Sequence, residues 1–485
     1  MREILVEHQD FDVIVVGGGG AGLAAAIEAN NAGANVLICE AAKTLGGSTA
    51  VSGGVFLAAD TELQKAQGVY DSADDFYDYI MMMNRWETEA AVARRYADES
   101  GPTIAWMQDL GIEFEPHVHP VGIGLTPVAR GHLPKDYGLG IIKAMSSVIN
   151  KARIETALNV RITRLLADEN GGVVGVEADG VEVRAKSVVV TCGGLGGAEP
   201  DLLKRYWPDA AQFDDWHYYI GVDTVRGDAI GLGENVGAEI SGINSGVMIN
   251  SSSYFRDPEA IFPGWPIFVN TTGRRFINEQ ADYSIMGENM NRQPGKVIYI
   301  VMDHDAFARD LTDRRYVNRG IHPDIVAGSL NPASLAEGLA RGEIFQADTI
   351  EELAEKAGID STMLADTVAE YNEDVDKGRD SHFLKDPQTM VKIQTPPFYA
   401  APRRAAQISA SAVGLRINAD AQVYSTRGGY VPGLYAAGEA SAGVWTHLIG
   451  SGSLIGAAII FGRIAGRSAA AQLSSAAGQH SAATK

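Results

Sequence analysis

The feature that most restricts what this chain can become is Gly17-x-Gly19-x-x-Gly22, set between a short apolar run, Val13–Val16, and an alanine-rich stretch reaching Asn30. A strand that ends in such a cluster and opens directly into a helix is the first turn of a dinucleotide-binding βαβ unit. The next apolar run, Asn35–Cys39, ends on Glu40, where the fingerprint needs an acidic acceptor for a ribose hydroxyl. The glycines have separate mechanical tasks: a tight turn, close approach of backbone to a pyrophosphate, and close packing of helix on strand. Ala21 falls in the first helical turn, whose free amides and positive dipole end suit phosphate.

Beyond this unit, residues 73–110 read as amphipathic helix, 111–138 as loop and 139–152 as helix, and 157–191 read as a β-meander closing on the apolar run Ser187–Thr191. From about Ile243 the texture changes. Pro266–Asn270, a turn at Thr272–Gly273 and Arg274–Asn278 read as a hairpin; charged helices follow between 302 and 378, one of them capped by Asp360. Glycine and small residues resume after Pro396–Pro397, and the Ser/Ala-rich tail from Gln472 reads as disordered. The expected fold class is α/β: a discontinuous Rossmann-type domain, 1–243 plus 403–485, with an inserted α+β cap, 244–402. A length of 485 residues fits that division, being too long for one compact core.

Composition narrows the partners. Lys+Arg 40 against Asp+Glu 61 gives a net charge of −21, a field that repels phosphate backbones and anionic lipid, so neither nucleic acid nor membrane is expected. The N-terminal residues carry charges where a signal peptide needs an apolar core, which points to the cytoplasm. The two cysteines, Cys39 and Cys192, have no zinc or redox spacing. His117 and His119, with Glu113 and Glu115 upstream, resemble a metal site only superficially, and no metal is expected.

A second glycine-serine run after the acidic strand, with Gly47, Ser48, Thr49, Ser52, Gly53 and Gly54, is placed to wrap a flavin rather than a nicotinamide. Pro432–Glu439 reads as strand and turn, and Gly450-Ser451-Gly452-Ser453-Leu454 starts a final helix. With Thr191-Cys192-Gly193-Gly194 and Gly273–Glu279, these motifs make the chain resemble the flavoprotein family of fumarate reductases, succinate dehydrogenase flavoprotein subunits and ketosteroid dehydrogenases. The resemblance spans nearly the whole chain. It implies FAD, with Gly193, Gly438, Glu439, Ser453 and Leu454 joining the two glycine runs around it and the last helix directing its N-terminus at the flavin. Where succinate dehydrogenases tether FAD through a histidine, this chain has Gly47, so non-covalent FAD is expected. No second dinucleotide fingerprint occurs, so electrons are expected to leave to an external acceptor.

The family's fumarate reductases clamp a dicarboxylate with histidines and arginines and use an arginine as proton donor. Here the donor position reads Tyr283, the first clamp reads Ala410–Gly414, and the second reads Leu448–Gly452. A dicarboxylate without cations in a low-dielectric pocket would cost several kcal/mol, so fumarate is disfavoured. Ketosteroid dehydrogenases place a tyrosine at Tyr283, and their Ala-Ser-Ala pattern matches Ala440–His447. This likeness implies oxidation beside a cyclic ketone, with Tyr283 as base, helped by a cation such as Arg274 or Arg275. The family's second tyrosine falls at Leu448 or Ile449, leaving His447, the Ser451 hydroxyl or the backbone of Gly450–Ser453, Gly452 included, to hold the ketone oxygen. Trp445 is expected in the pocket wall, and a substrate carboxylate could be met by Arg130, His132, Lys135, Arg403 or Arg404. Two alternatives stand beside the desaturase: an ene-reductase running the same chemistry backward, and a non-catalytic electron-transfer flavoprotein.

Overall fold

The computed structural model describes residues 10–120, 128–212, 216–255, 262–309, 328–447, 450 and 452–482. The opening strand, Asp10–Val16, is the centre of the larger sheet. It lies parallel to Val36–Glu40 on one side and to Val181–Val190 on the other, and Glu155–Leu158 and Tyr430–Ala436 extend the parallel set outward. Val13, Ile14 and Val15 are fully buried, which is why this run is apolar without alternation. Register pairs Val16 with Cys39 and with Val190, and Val190 with Ala436, so the carboxyl ends of four strands converge where Gly17, Glu40, Thr191 and Gly438 follow. Open α/β sheets bind ligands at such an edge.

The first helix, Gly20–Asn31, is buried on every side from Gly20 to Ala29 because it lies between the sheet and the C-terminal helix, Ser453–Ala482. Glycines make that crossing possible: a Cβ on Gly462 would stand 2.3 Å from Ala21 O, and one on Gly466 2.2 Å from Ala25 O. The segment Ser453–Gln472 is long and apolar enough to cross a bilayer, yet 67% of it is buried within the protein, as suits a core helix. Its continuation as backbone helix to Ala482 corrects the expectation of disorder from Gln472.

The smaller sheet is organised on one long strand, Phe398–Ser411, flanked by Gly246–Ser251 and Ile298–Met302, with Ile267–Asn270 beyond. This strand runs unbroken through the expected domain boundary at 403, so the division of the chain passes along a strand rather than between elements. The expected hairpin 266–278 is reduced to a single bridge, Val269 to Arg275, because Ile267–Asn270 pairs with Ile298–Met302 instead. Residues 111–138, expected as loop, contain Phe114–His119 and Gly131–Pro134, which pair antiparallel. The helices hold better: 73–110 contains Ala73–Met83 and Ala90–Asp109, separated by the non-helical Asn84–Glu89 that the single helical expectation did not anticipate, and Asp360 caps Ser361–Lys377 through Met363 N at 2.9 Å.

Candidate active site

A cavity of about 580 Å³ opens at the carboxyl edge of the larger sheet, within the range of ~300–1,000 Å³ typical of ligand sites. One end is lined by Cys39, Glu40, Val160, Arg161 and Ile162, the middle by Gly17, Gly19, Gly20, Ala21, Gly193, Gly438 and Glu439, and the rest by the run Gly47–Thr49, by Ser52–Gly54 and by Tyr219, Ile249, Tyr283, Ser409, Ala410, Trp445, Gly452 and Leu454. The expected cofactor residues therefore line one cavity, except Gly22 and Ser453, which stand behind it.

The glycines fall into two kinds. A Cβ on Gly17 would be 2.5 Å from Thr191 O and one on Gly22 1.9 Å from Gly17 O, so these two let backbones touch. A Cβ on Gly19 meets no protein atom nearer than Gly46 O at 3.9 Å, so its missing side chain leaves room in the cavity itself. The first helix carries no side-chain cap at Gly19; Gly20 N donates to Thr49 Oγ1 at 3.2 Å, and the amides that follow it in the first turn suit an anion. Gly452, at φ +100° and with Val55 2.7 Å from a would-be Cβ, brings the last helix in at the far end. An elongated diphosphate with a planar group at each end fits this donor set. Glu40 does more than expected: its Oε2 accepts from Gly18 N at 2.6 Å and its Oε1 from Ala42 N at 2.7 Å, so it also fixes the glycine turn. Glu439 accepts from Ser411 N at 2.7 Å and from its hydroxyl at 3.2 Å, and burial pushes its carboxyl up to about 7. Both cysteines line the cavity as free thiols, and burial pushes each up to about 12.

At the end away from Glu40, Tyr283 is the first residue of the helix Tyr283–Asn291, whose N-cap Asp282 accepts from Ser284 N. Trp445, nearly fully buried, faces the same space with Val444, Ile249 and Ala410. Arg161 is the one cation lining the cavity among the described residues, and it pairs with Asp228 on the Glu40 side. Leu448, Ile449 and Ser451 lie outside the described residues.

Seven residues expected to serve substrate or catalysis are placed elsewhere. Arg130 is buried in a two-pronged pair with Asp71, both contacts 2.7 Å, and lies over the rings of Phe76 and Tyr79. His132 bonds Thr61 Oγ1 at 2.8 Å and Arg130 O at 2.9 Å, and burial pushes it down to about 4, so it is a neutral structural ring. Arg403 is fully buried on the long strand Phe398–Ser411, bonded to Tyr254 Oη at 2.7 Å and Ser329 Oγ at 2.9 Å. His447 turns outward to Glu87, at 2.6 Å. Lys135 pairs with Glu113 at the surface, and Arg404 reaches Gly295 O. Arg275, a candidate cation for Tyr283, is instead held by Glu279 and Asp380 at 2.8–2.9 Å and stacked on Tyr371 and Phe383.

Sequence reasoning missed Tyr219, whose hydroxyl lies 3.2 Å from Ser48 Oγ, and the apolar wall of Ile249 and Val444. Tyr219 and Ile249 lie in no motif, whereas Val444 stands inside the Ala440–His447 pattern, which gave it a position but no role.

Residues 12–454 match the family described as FAD binding domain. The chain belongs to that family and is an FAD-dependent oxidoreductase. It is 30% identical over 95% of its length to the NADH:fumarate oxidoreductase of Klebsiella pneumoniae, of which it spans only 48%. It is 28% identical to the vinyl phenol reductase of Lactiplantibacillus plantarum, covering 96% of this chain and 97% of that one. Among solved structures, the 3-ketosteroid-Δ4-(5α)-dehydrogenase of Rhodococcus jostii RHA1 superposes with a TM-score of 0.78 at 25% identity, covering 96% of this chain and 98% of that one.

Proposed function

We propose that this chain is an FAD-dependent dehydrogenase that introduces a C=C bond α,β to the carbonyl of a cyclic ketone, whether an alicyclic ketone, an oxocyclohexane carboxylate or a 3-ketosteroid. The observation that carries this reading is the end of the cavity at Tyr283 and Trp445, where the described lining holds a phenol and an apolar wall but no Arg, Lys or His. A neutral carbonyl compound is desolvated there at little cost, whereas a dicarboxylate is not.

FAD held along the two glycine runs would supply the acceptor for the β-hydride. The Gly47 position has no side chain to bond it, so the cofactor is held without a covalent link. Tyr283 Oη receives the α-proton as the hydride departs and passes its own proton to solvent water. Donors around Gly452 and the start of the last helix hold the carbonyl oxygen as charge builds on it, helped by the positive end of the helix. Trp445, Ile249 and Val444 exclude water from the ring. The cyclic ketone and an external electron acceptor are the two partners this scheme needs.

The reverse reaction, reduction of an activated alkene, is a second reading. It is favoured by the names of the relatives, which are mostly reductases. Anaerobic mixing separates the two: a desaturase is bleached by the saturated ketone, whereas a reductase stays yellow with it and is reoxidised from the reduced state by the enone. Failure of both experiments would leave the electron-transfer alternative.

A further inference from the structure

The turn that carries Trp445 is gripped by a strap from a distant part of the chain, the residues Asn84–Glu89 that join two helices. Asn84 is fully buried, and its Oδ1 accepts from Thr446 N at 2.8 Å and from His447 N at 3.1 Å, while its Nδ2 donates to Ile80 O at 2.8 Å. Thr88 Oγ1 donates to Gly443 O at 2.6 Å, and Glu89 N donates to the same oxygen at 3.2 Å. Glu87 takes His447 Nε2. Two consecutive non-glycine residues, Arg85 at φ 55° and Trp86 at φ 61°, hold left-handed backbone, a conformation that persists only where its surroundings impose it. Arg85 also pairs with Glu288 on the helix that begins at Tyr283. From the other side, Ser245 Oγ donates to Thr446 O.

We propose that Asn84 is a positioning residue for the substrate end of the cavity. One amide side chain satisfies two successive backbone donors immediately after Trp445 and so fixes the plane of that turn, and the Arg85–Glu288 pair ties the same strap to the helix of Tyr283. The wall and the base are thereby held in one frame that touches neither FAD nor substrate. This rests on the reading that the Trp445–Tyr283 end receives the substrate. An aspartate at 84 would keep the acceptor oxygen and, because full burial favours the neutral carboxyl, would offer its hydroxyl to Ile80 O in place of the amide, whereas alanine would lose both.

The test uses the FAD-loaded enzyme and compares Asn84→Ala and Asn84→Asp with wild type. Amide exchange of the peptide spanning Gly443–His447 is expected to quicken at least tenfold in Asn84→Ala, with FAD content per chain unchanged. The half-saturating concentration of cyclohexanone-type ketone in anaerobic flavin reduction is expected to rise at least tenfold, and Asn84→Asp is expected to stay within about threefold of wild type. Faster exchange with unaltered half-saturation and limiting rate would overturn the proposal, as would unaltered exchange. Should Asn84→Ala fail to fold, Thr88→Val, which removes the bond to Gly443 O, is read the same way. If no ketone reduces the wild type, the desaturation reading fails by itself; exchange, together with reoxidation of reduced enzyme by an enone, then decides the role of Asn84.

Discussion

Glu439→Gln probes how the cavity treats charge when FAD is removed. The carboxyl is pushed from 4.5 up to about 7 because burial outweighs the two bonds from Ser411. At ~1.36 kcal/mol per pKa unit, that displacement amounts to about 3 kcal/mol at most. Water entering the emptied cavity lowers the figure, to ~1–3 kcal/mol. The sign follows from linkage. A carboxyl raised in the folded state binds more protons folded than unfolded between pH 4.5 and about 7, so its contribution to stability is intact below 4.5 and is lost as pH rises through 7. Glutamine keeps an acceptor for Ser411 and never ionises. Urea unfolding of FAD-stripped protein at a series of pH values should therefore show the variant gaining ~1–3 kcal/mol on wild type between pH 4.5 and pH 8. Parallel curves, with a pH-independent offset, would refute the claim that Glu439 is buried against its charge.

Gly19→Val should abolish FAD binding yet leave a folded apoprotein, since its side chain enters the cavity, whereas Gly22→Val, driven into Gly17 O, should fail to accumulate; flavin absorbance and circular dichroism tell them apart. Tyr283→Phe should slow anaerobic flavin reduction by roughly 10²–10⁴ with little change in half-saturation, and near wild-type speed would remove Tyr283 from the chemistry. Acid precipitation should release the yellow colour to the supernatant; colour retained on the polypeptide would contradict the inference from Gly47. Succinate and fumarate should turn over less than a tenth as fast as the best ketone or enone, as stopped-flow comparison would check.

The nucleotide half of the fold was legible because a cofactor of fixed shape demands a fixed backbone path, and such a path demands glycine at particular places. Gly17 and Gly22 are required where two backbones touch, and Gly19 where nothing of the protein can stand. Uniform burial of Val13–Val15 likewise leaves a run without alternation. The rest of the fold was less legible. Pairing of Ile267–Asn270 with a strand some thirty residues on, rather than with the adjacent Arg274–Asn278, is a long-range choice that local turn chemistry at Thr272–Gly273 does not record. The short strands Phe114–His119 and Gly131–Pro134 contain prolines and histidines and support each other only as a pair.

Charged side chains were the least legible, for a physical reason. Arg130, Arg275 and Arg403 are each buried against specific partners, Asp71, Glu279 with Asp380, and Tyr254 with Ser329. A cation in a sequence offers no sign of whether its partner is a ligand or another residue far along the chain, and desolvation makes the internal pairing binding once it forms. The end of the cavity proposed for substrate is assembled from three segments that have no motif in common: the helix start at Tyr283, the turn at Trp445, and the strap at Asn84. Their relation is carried by hydrogen bonds across more than three hundred and fifty residues, from Asn84 to Thr446 and from Thr88 to Gly443. With Arg130, Arg275 and Arg403 spent on structure, what would face the ring of the proposed substrate is phenol, indole and aliphatic surface. That is an environment in which selectivity comes from shape and from one placed proton acceptor, so changes in the strap should alter which ketone is accepted before they alter whether FAD binds.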